Sequence, residues 1–291
     1  MPPTSNDGTI LGREGWGWDM ALSKIVGTGF AGALIGSSLM IGAASAQSVK
    51  DDFAAPAGGT KAWVLFSGFD AVSDASYAFQ GLVVALNRDI GRDGFVLRVY
   101  GSHVDYEYNT SGVPGGKVDG DGWQGDAMIG YKVSRGNIWA AAYIGVDYQN
   151  YDLTPRDPSA TVEGTEWGFK VAADVATLRG VDATSPLYFS LSGNYSTAFD
   201  SYWARARVGV NRGHVTFGPE GIAMGNEGFD AQRVGAFLTF DLNIAPTMPI
   251  EVTLSGGYQF VNDDNNNGGN NGGGSGGSEG AYGGITFVTV F

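Results

Sequence analysis

The chain of 291 residues has no cysteine, and its only imidazole bases are His103 and His214. A hydrolase needs a nucleophile, a base and an orienting group within hydrogen-bond reach of one another. His103 lies near the end of a predicted strand beside Asp105, whereas His214 follows the tight turn at Arg212 and Gly213. The predicted topology places the two histidines at opposite ends of the fold, and the chain has no G-x-S-x-G motif. We therefore expect solvated or interfacial histidines, no catalytic residue and no enzyme.

Carboxylates are plentiful, since the formal net charge is −13. Two of them could hydrolyse a glycosidic bond, but no spacing singles out a pair. The basic residues fall on the same predicted face as many of the acids, and buried charges must be paired. A structural ion-pair network is the default expectation. Its predicted cations are Arg98, Lys132, Lys170, Arg205, Arg207 and Arg233.

Metal and phosphate motifs are incomplete. Asp119 to Gly122 is too short to close a calcium site, and Asp263 to Gly268 matches only the first half of an EF-hand loop. The twelfth position of that loop is Gly274 rather than the bidentate Glu that the geometry needs. No helical period follows the glycines, so they form no phosphate cradle. We predict no metal site and no cofactor.

Aromatic side chains next to charges suggest contact with a sugar chain. Period-two counting points Trp139 and Trp203 inward, whereas Trp123 and Trp167 point outward near strand ends, as in an interfacial girdle. Ordinary filling of the interior is the alternative for the inward pair. The candidate polysaccharide-contact or lumen residues are Trp139, Asp147, Trp203, Arg205, Arg207, Glu220 and Arg233.

These residues lie on segments that alternate in polarity. In Glu166 to Val175, Trp167 and Phe169 share the apolar face and Lys170 and Asp174 the polar face. The same pattern recurs along the chain, and many segments reach the length of a strand that crosses a bilayer. The pattern predicts an all-β, antiparallel, up-and-down transmembrane β-barrel with an apolar outside and a polar inside. Its predicted strands are 61–71, 76–87, 94–106, 121–134, 137–151, 162–178, 186–198, 201–212, 214–224, 229–243, 249–262 and 281–291.

Connections and the last residue favour a barrel of the outer membrane. The tight turns at 134–137 and 211–213 alternate with longer connections at 107–120, 152–161 and 262–280, as expected of periplasmic turns and outer loops. The stretch 262–280 is rich in Asn and Gly and is predicted to be a flexible surface loop. The final strand ends on Phe291, a terminal aromatic that fits barrel assembly.

The N-terminal region predicts export. Residues 20–46 have the basic start, the apolar stretch and the A-x-A end of a cleavable signal peptide, which places the mature start near Gln47. Residues 1–19 are interpreted as a mis-assigned upstream extension, 47–60 as a linker and 61–291 as the barrel domain. We expect the cell outer membrane as location and its lipid as a partner. The acidic charge excludes nucleic acid, which requires a basic patch.

Two other functions stay open. One is a barrel enzyme that acts on lipid or polysaccharide. The other is a soluble periplasmic sugar-binding β-sandwich, which also alternates but would carry long charged side chains on its exposed face. The polar face here is instead rich in Gly, Ser, Asn and Tyr, as a crowded barrel interior would be.

Long motifs resemble the cellulose biosynthesis protein BcsS family. They are V-A-L-N-R-D (84–89), D-G-D-G-W-Q-G-D-A-M-I-G-Y (119–131), A-A-Y-I-G-V-D-Y-Q-N (141–150), G-T-E-W-G-F-K (164–170), Y-S-T-A-F-D-S-Y-W-A-R (195–205) and G-P-E-G-I-A-M-G-N-E-G-F-D-A-Q-R-V-G-A-F (218–237). The resemblance spans about residues 62–291 and supplies no catalytic residue. It implies an outer-membrane component that accompanies bacterial cellulose synthase. We expect it to assist export or surface organisation of cellulose, through a polar lumen or as a docking platform.

Overall fold

The computed structural model describes residues 61–179, 185–245, 248–262 and 279–291. They form twelve antiparallel strands, each paired with its neighbours in sequence, and β1 pairs with β12 to close a barrel. This confirms the predicted up-and-down architecture. The predicted segments 1–19, 20–46 and 47–60, and most of 262–280, lie outside the described residues. The strands are β1 (Trp63–Val72), β2 (Ala75–Ala85), β3 (Gly94–Asn109), β4 (Lys117–Arg135), β5 (Ile138–Thr154), β6 (Gly164–Thr177), β7 (Leu187–Ser196), β8 (Tyr202–Arg212), β9 (Val215–Asn226), β10 (Phe229–Ala245), β11 (Met248–Val261) and β12 (Gly280–Val290).

We call the end where β1 begins and β12 finishes the closed end, and the opposite end the open end. The predicted alternation of turn lengths holds only in part. The closed end has tight turns at 136–137 and 213–214 but also the longer connection 86–93. The open end has the long connection 155–163 but also a short turn at 227–228.

The outer surface of the barrel carries an apolar belt. Phe169 is 72% exposed and Val171 is 50% exposed, whereas Lys170 between them is fully buried. On β4 the belt runs from Tyr131 to Trp123, close to the ~9–11 residues that a tilted strand needs to cross a bilayer. Trp123 and Trp167 are exposed on the outer face, as predicted. An apolar exterior of this height suits lipid and not water.

Three neighbouring strands extend past the belt at the open end. We call these extensions the high wall; they are Val104–Asn109, Lys117–Gly122 and Tyr151–Thr154. The sequence prediction placed most of 107–120 in a loop, but the connection is limited to residues 110–116. Cross-strand pairing continues through this polar, glycine-rich stretch, for example between Tyr106 and Gly120. Backbone hydrogen bonding, which polarity patterns do not report, keeps these residues in strands.

Part of the interior near the closed end is apolar. Val64, Phe66, Met128, Trp139 and Val290 belong to one buried cluster inside the barrel. The expectation of a polar inside is therefore wrong for this cluster, but it holds where Thr216, Thr239 and Glu251 are buried at the same end, and in the middle and at the open end. Among the described residues, no helix has the length and apolar character needed to span a membrane.

Candidate functional site

A layer of buried ion pairs crosses the middle of the barrel. Lys170 on β6 places its Nζ 2.9 Å from Asp126 Oδ2 on β4 and 3.3 Å from Asp147 Oδ1 on β5. Arg98 on β3 approaches the same Asp126 carboxylate at 3.1 Å. All four side chains are buried. In a low dielectric such charges are tolerated because each has a partner, so this layer fixes the positions of four strands.

A second charged group lies on the other side of the interior. The Arg207 Nε donates a hydrogen bond to Glu220 Oε2 at 2.7 Å, and the Tyr282 hydroxyl donates to Glu220 Oε1 at 2.9 Å. Arg233 on β10 reaches Asp70 on β1, with Nη1 2.5 Å from Oδ1. The predicted ion-pair network of the interior is thus present, and it joins strands that are not neighbours.

Two residues in connections at the closed end, Ile90 and Arg179, have side chains buried in the barrel interior. Ile90, in the connection 86–93, is buried against the apolar cluster, and its carbonyl accepts a hydrogen bond of 2.7 Å from Lys132 Nζ. Arg179 follows β6 and pairs with Glu251 on β11 and with Asp241 on β10, the latter at 3.3 Å. Since β6 and β11 lie on nearly opposite walls, Arg179 crosses the barrel. Buried side chains therefore fill the interior from the closed end to its middle.

The open end instead encloses a cavity of about 540 Å³, which we call the cup. Its size falls within the ~300–1,000 Å³ typical of ligand sites. Tyr77, Tyr106 and Tyr151 line one side of the cup, on β2, β3 and β5. Gln149 also lines it, and its Nε2 donates to Asp147 Oδ2 at 2.8 Å, so the cup ends on the central ion pairs.

The predicted site residues divide into three groups. Trp203, Arg205 and Arg233 line the cup, and the Arg205 guanidinium lies over the Trp203 ring at 5.2 Å. Asp147, Arg207 and Glu220 are buried in the ion pairs below it. Trp139 points inward, but it is packed in the apolar cluster near the closed end and does not line the cup. Period-two counting gave the correct face for each residue but not its depth in the barrel.

Sequence reasoning missed the five tyrosines that line the cup, among them Tyr77, Tyr106 and Tyr151. Tyr106 pairs with Gly120 and Tyr151 with Gly122 across strand boundaries. For Tyr106 and Tyr151, the sequence signal that could have found them was an aromatic residue paired with a glycine on the neighbouring strand. Burial, and secondarily the Asp121 charge, raises the pKa of Tyr106 to about 12. Its phenol is therefore neutral at physiological pH.

The connection 155–163, the longest described loop of the open end, is held in place by hydrogen bonds to the Asp157 carboxylate. Asp157 Oδ1 accepts hydrogen bonds from the Ser159 hydroxyl at 2.6 Å and from the Ser159 amide at 3.0 Å. Its Oδ2 accepts a bond of 3.0 Å from the Tyr108 hydroxyl on the high wall. These bonds, led by that of the Ser159 hydroxyl, lower the pKa of Asp157 below its usual value. The loop is thereby tied to the wall of the cup.

Within the part of the chain that the structure describes, one group of side chains could hold a metal ion, and it lies on the outer surface rather than in the cup. His103 Nε2 is 2.5 Å from Asp121 Oδ2, and His103 Nδ1 is 3.4 Å from Asp105 Oδ2. Sequence reasoning noted His103 and Asp105 but not Asp121, because the register of β3 on β4 brings Asp121 there. His214 lies in the turn at the closed end, so the two histidines are at opposite ends, as predicted.

Solved structures with detectable similarity are bacterial barrels of low identity. CdiB from Acinetobacter baumannii is 9% identical with a TM-score of 0.34, and the match covers 80% of this chain and 60% of CdiB. BamA from Haemophilus ducreyi lacking POTRA domains 1-3 is 9% identical with a TM-score of 0.36, over 80% of this chain and 70% of that one. OccK5 (OpdH) from Pseudomonas aeruginosa is 7% identical with a TM-score of 0.31, over 80% and 97%.

Sequence comparisons bear on the family. No curated protein matches the chain significantly. The family model for the cellulose biosynthesis protein BcsS matches residues 64–291, from the first strand to the last residue. That range includes all twelve strands except the first residue of β1, together with the cup and the central ion pairs. With a closed twelve-strand barrel and a family match over nearly all of it, the chain belongs to the cellulose biosynthesis protein BcsS family.

Proposed function

We propose that this protein is an outer-membrane accessory of cellulose biosynthesis that works as a surface docking platform and not as a conduit. The observation that carries the proposal is the filled interior. A conduit for polysaccharide needs a continuous hydrated path, but here buried apolar side chains and paired charges occupy the barrel below the cup.

Rearranging the interior to open a path would be costly. Lys170 would have to leave two buried carboxylates, and breaking one buried ion pair costs ~3–5 kcal/mol. The apolar cluster would also have to leave the closed end. Both groups belong to the wall strands and their connections, so among the described residues no separate plug segment is available to move aside. A static platform is the simpler function.

The apolar belt suits outer-membrane lipid, and an even strand number puts both termini of the barrel on one side. With an exported chain, that side is the periplasm, so the cup faces the exterior of the cell. Cellulose emerging from the synthase complex would meet the cup and the high wall. Trp203, Arg205 and Arg233 are the predicted site residues that such a ligand would reach.

An enzymatic role has less support. The interior carboxylates Asp126, Asp147 and Glu220 are held in ion pairs, and the two histidines lie at opposite ends of the barrel. Neither arrangement assembles a nucleophile, a base and an orienting group.

Electrical recording of the purified barrel in planar bilayers tests the filled interior. We expect no steady conductance from wild-type protein that shows heat-modifiable migration, the sign of a folded barrel. A porin reconstituted in the same way is the control. A stable open level in most insertions would contradict the platform and favour a conduit.

Deleting the gene for this protein in a cellulose-producing host distinguishes a docking platform from a conduit in the cell. A platform predicts that the total glucan exported stays near the wild-type amount, while the fraction retained at the cell surface falls. A conduit predicts that export itself stops. Complementation with the wild-type chain is the control, and a loss of total export would refute the platform.

A further inference from the structure

We propose that the cup binds a single β-linked glucan chain by stacking sugar rings on Tyr106 and Tyr151 of the high wall. The inference rests on the proposed platform function and names its ligand and binding surface. A β-linked glucan has flat faces of C–H groups and a rim of hydroxyls. It therefore calls for aromatic faces on one side of a site and hydrogen-bonding groups on the other.

The two tyrosine rings lie flat on the sheet because each has a glycine beneath it. A Cβ added at Gly120 would stand 2.3 Å from Tyr106 Cζ, and one added at Gly122 would stand 2.6 Å from Tyr151 Cδ1. Both are closer than side chains can approach, so any residue other than glycine would push the ring away from the wall. The glycines thus allow one face of each ring to rest on the backbone while the ring lines the cup.

A neighbouring residue holds Tyr106 in this orientation. The ring of Tyr108 lies beside that of Tyr106 and nearly parallel to it, with centroids 6.2 Å apart and planes 18° apart. The hydroxyl of Tyr108 is tied to Asp157, and its ring is buried with Val113 and Val118. The flat surface is therefore formed before a ligand arrives, which reduces the entropy lost on binding.

The opposite side of the cup supplies hydrogen-bonding groups. In a closed barrel of twelve strands, β10 lies opposite β4 and β11 opposite β5. Arg233 and Gln259 line the cup from these strands, and Arg233 Nε donates to Gln259 Oε1 at 2.7 Å. Arg205 also lines the cup, and its Nη2 is buried without a hydrogen-bond partner among the described residues. A donor without a partner, across the cup from the tyrosines, is what a hydroxyl of a polyhydroxylated ligand can satisfy.

The test measures binding of cellohexaose to the purified, detergent-solubilised barrel by isothermal titration calorimetry. Gly120→Ala and Gly122→Ala keep both tyrosines but force their rings off the wall, and each is expected to weaken binding about tenfold. Gly125→Ala on the same strand is the matched control. A Cβ there meets nothing nearer than the Tyr100 carbonyl oxygen at 3.6 Å, so we expect unchanged affinity.

A second pair of variants asks whether the ring itself is the binding element. Tyr106→Ala should weaken binding at least as much as Gly120→Ala, whereas Tyr106→Phe should stay within about threefold of wild type because the ring face remains. Maltohexaose, whose α-linkages curve the chain, should bind more weakly than cellohexaose. Heat-modifiable migration of every variant verifies that the barrel is folded.

Several outcomes would overturn the inference. They are wild-type protein that does not bind cellohexaose, glycine variants that bind like wild type, and equal losses in Gly125→Ala. None of these changes the conductance or the surface-retention result expected of a platform. A conducting barrel that still binds cellohexaose on the tyrosines would instead refute the platform and leave the stacking site standing.

Discussion

Both halves of the barrel contain an aromatic ring packed flat over a glycine, but the two rings have different surroundings. Near the closed end, Phe66 lies over Gly81, where an added Cβ would stand 2.1 Å from Phe66 Cζ. At the open end, Tyr106 lies over Gly120 in the same way. Phe66 is 4% exposed within the apolar cluster, whereas Tyr106 lines the cup. A ring that lies flat over a glycine fills the interior where other side chains cover it, as at Phe66. It offers a binding surface where it faces a cavity, as at Tyr106.

The comparison teaches that the position of an inward side chain along the barrel axis decides whether it blocks the interior or can contact a ligand. Both halves have inward aromatic residues and inward charges. The closed end adds two connections that carry Ile90 and Arg179 into the interior, and the open end adds the high wall. The packed interior near the closed end, which we call the plug, therefore differs from the cup in the residues added at each end. Four sets of substitutions probe that difference.

The largest effect is expected at the boundary between the halves. Lys170→Met removes the cation that serves Asp126 and Asp147, so two buried carboxylates lose a partner. We expect a loss of ~3–5 kcal/mol in the free energy of unfolding, measured by urea titration of the barrel in lipid vesicles. Lys117→Met is the control, because its pair with Glu107 at 2.6 Å is exposed on the high wall and should contribute little. Similar losses in the two variants would contradict the buried network.

A tryptophan from each half gives the next contrast. Trp139→Ala leaves a large void in the apolar cluster and should cost ~3–5 kcal/mol of unfolding free energy. Trp203→Ala should cost clearly less, because its ring is half-buried at the edge of the cup. The same urea titration measures both. If Trp203 proved the more costly of the two, the division into plug and cup would be wrong.

Two glycine substitutions compare the packing of an aromatic ring over glycine at the two ends of the barrel. Gly81→Ala should destabilise the barrel by ~1–3 kcal/mol, because Phe66 is enclosed and cannot move. Gly120→Ala should leave stability nearly unchanged, because Tyr106 can swing into the cup. Thermal unfolding followed by heat-modifiable migration distinguishes the two. Equal destabilisation would show that the cup is packed as tightly as the plug.

The smallest effect is a local pH dependence at the open end. The folded pKa of Asp157 is lowered, so its contribution is present above the unfolded pKa of about 3.9 and is lost as pH falls through the folded value. Amide exchange at Ser159 should then accelerate in wild type relative to Asp157→Asn, which lacks the carboxylate at every pH. Comparing the two chains at each pH removes the intrinsic pH dependence of exchange. A constant ratio from pH 6 to about pH 2 would contradict the role of Asp157.

The architecture was accessible from sequence because alternation is a local signal. Each of the twelve predicted segments overlaps a strand, and Trp167 and Lys170 lie on the predicted faces. The predicted segment 76–87 does not alternate cleanly in polarity, and the structure places its Tyr77, Phe79 and Val83 inward. Strand ends on the high wall were missed, since glycine-rich polar residues such as Gly120 and Gly122 resemble loop.

The site was accessible only in part, since it depends on relationships between strands. Trp203, Arg205 and Arg233 were selected by face and line the cup, but Trp139 was selected by the same rule and lies in the plug. Asp121 reaches His103 through the register of β3 on β4, and Arg179 reaches Glu251 across the barrel. Nothing in the spacing along the chain reports either distance.

By itself, the sequence determined the class of fold and the two faces of each strand. Side-chain direction in a strand has a period of two residues, and an apolar outside facing lipid imprints that period on the chain. The tertiary structure alone decided how deep each inward residue lies and which strands it faces. Depth and facing partners arise when the strands close into a tilted cylinder, where shear and register between hairpins bring together residues far apart in sequence.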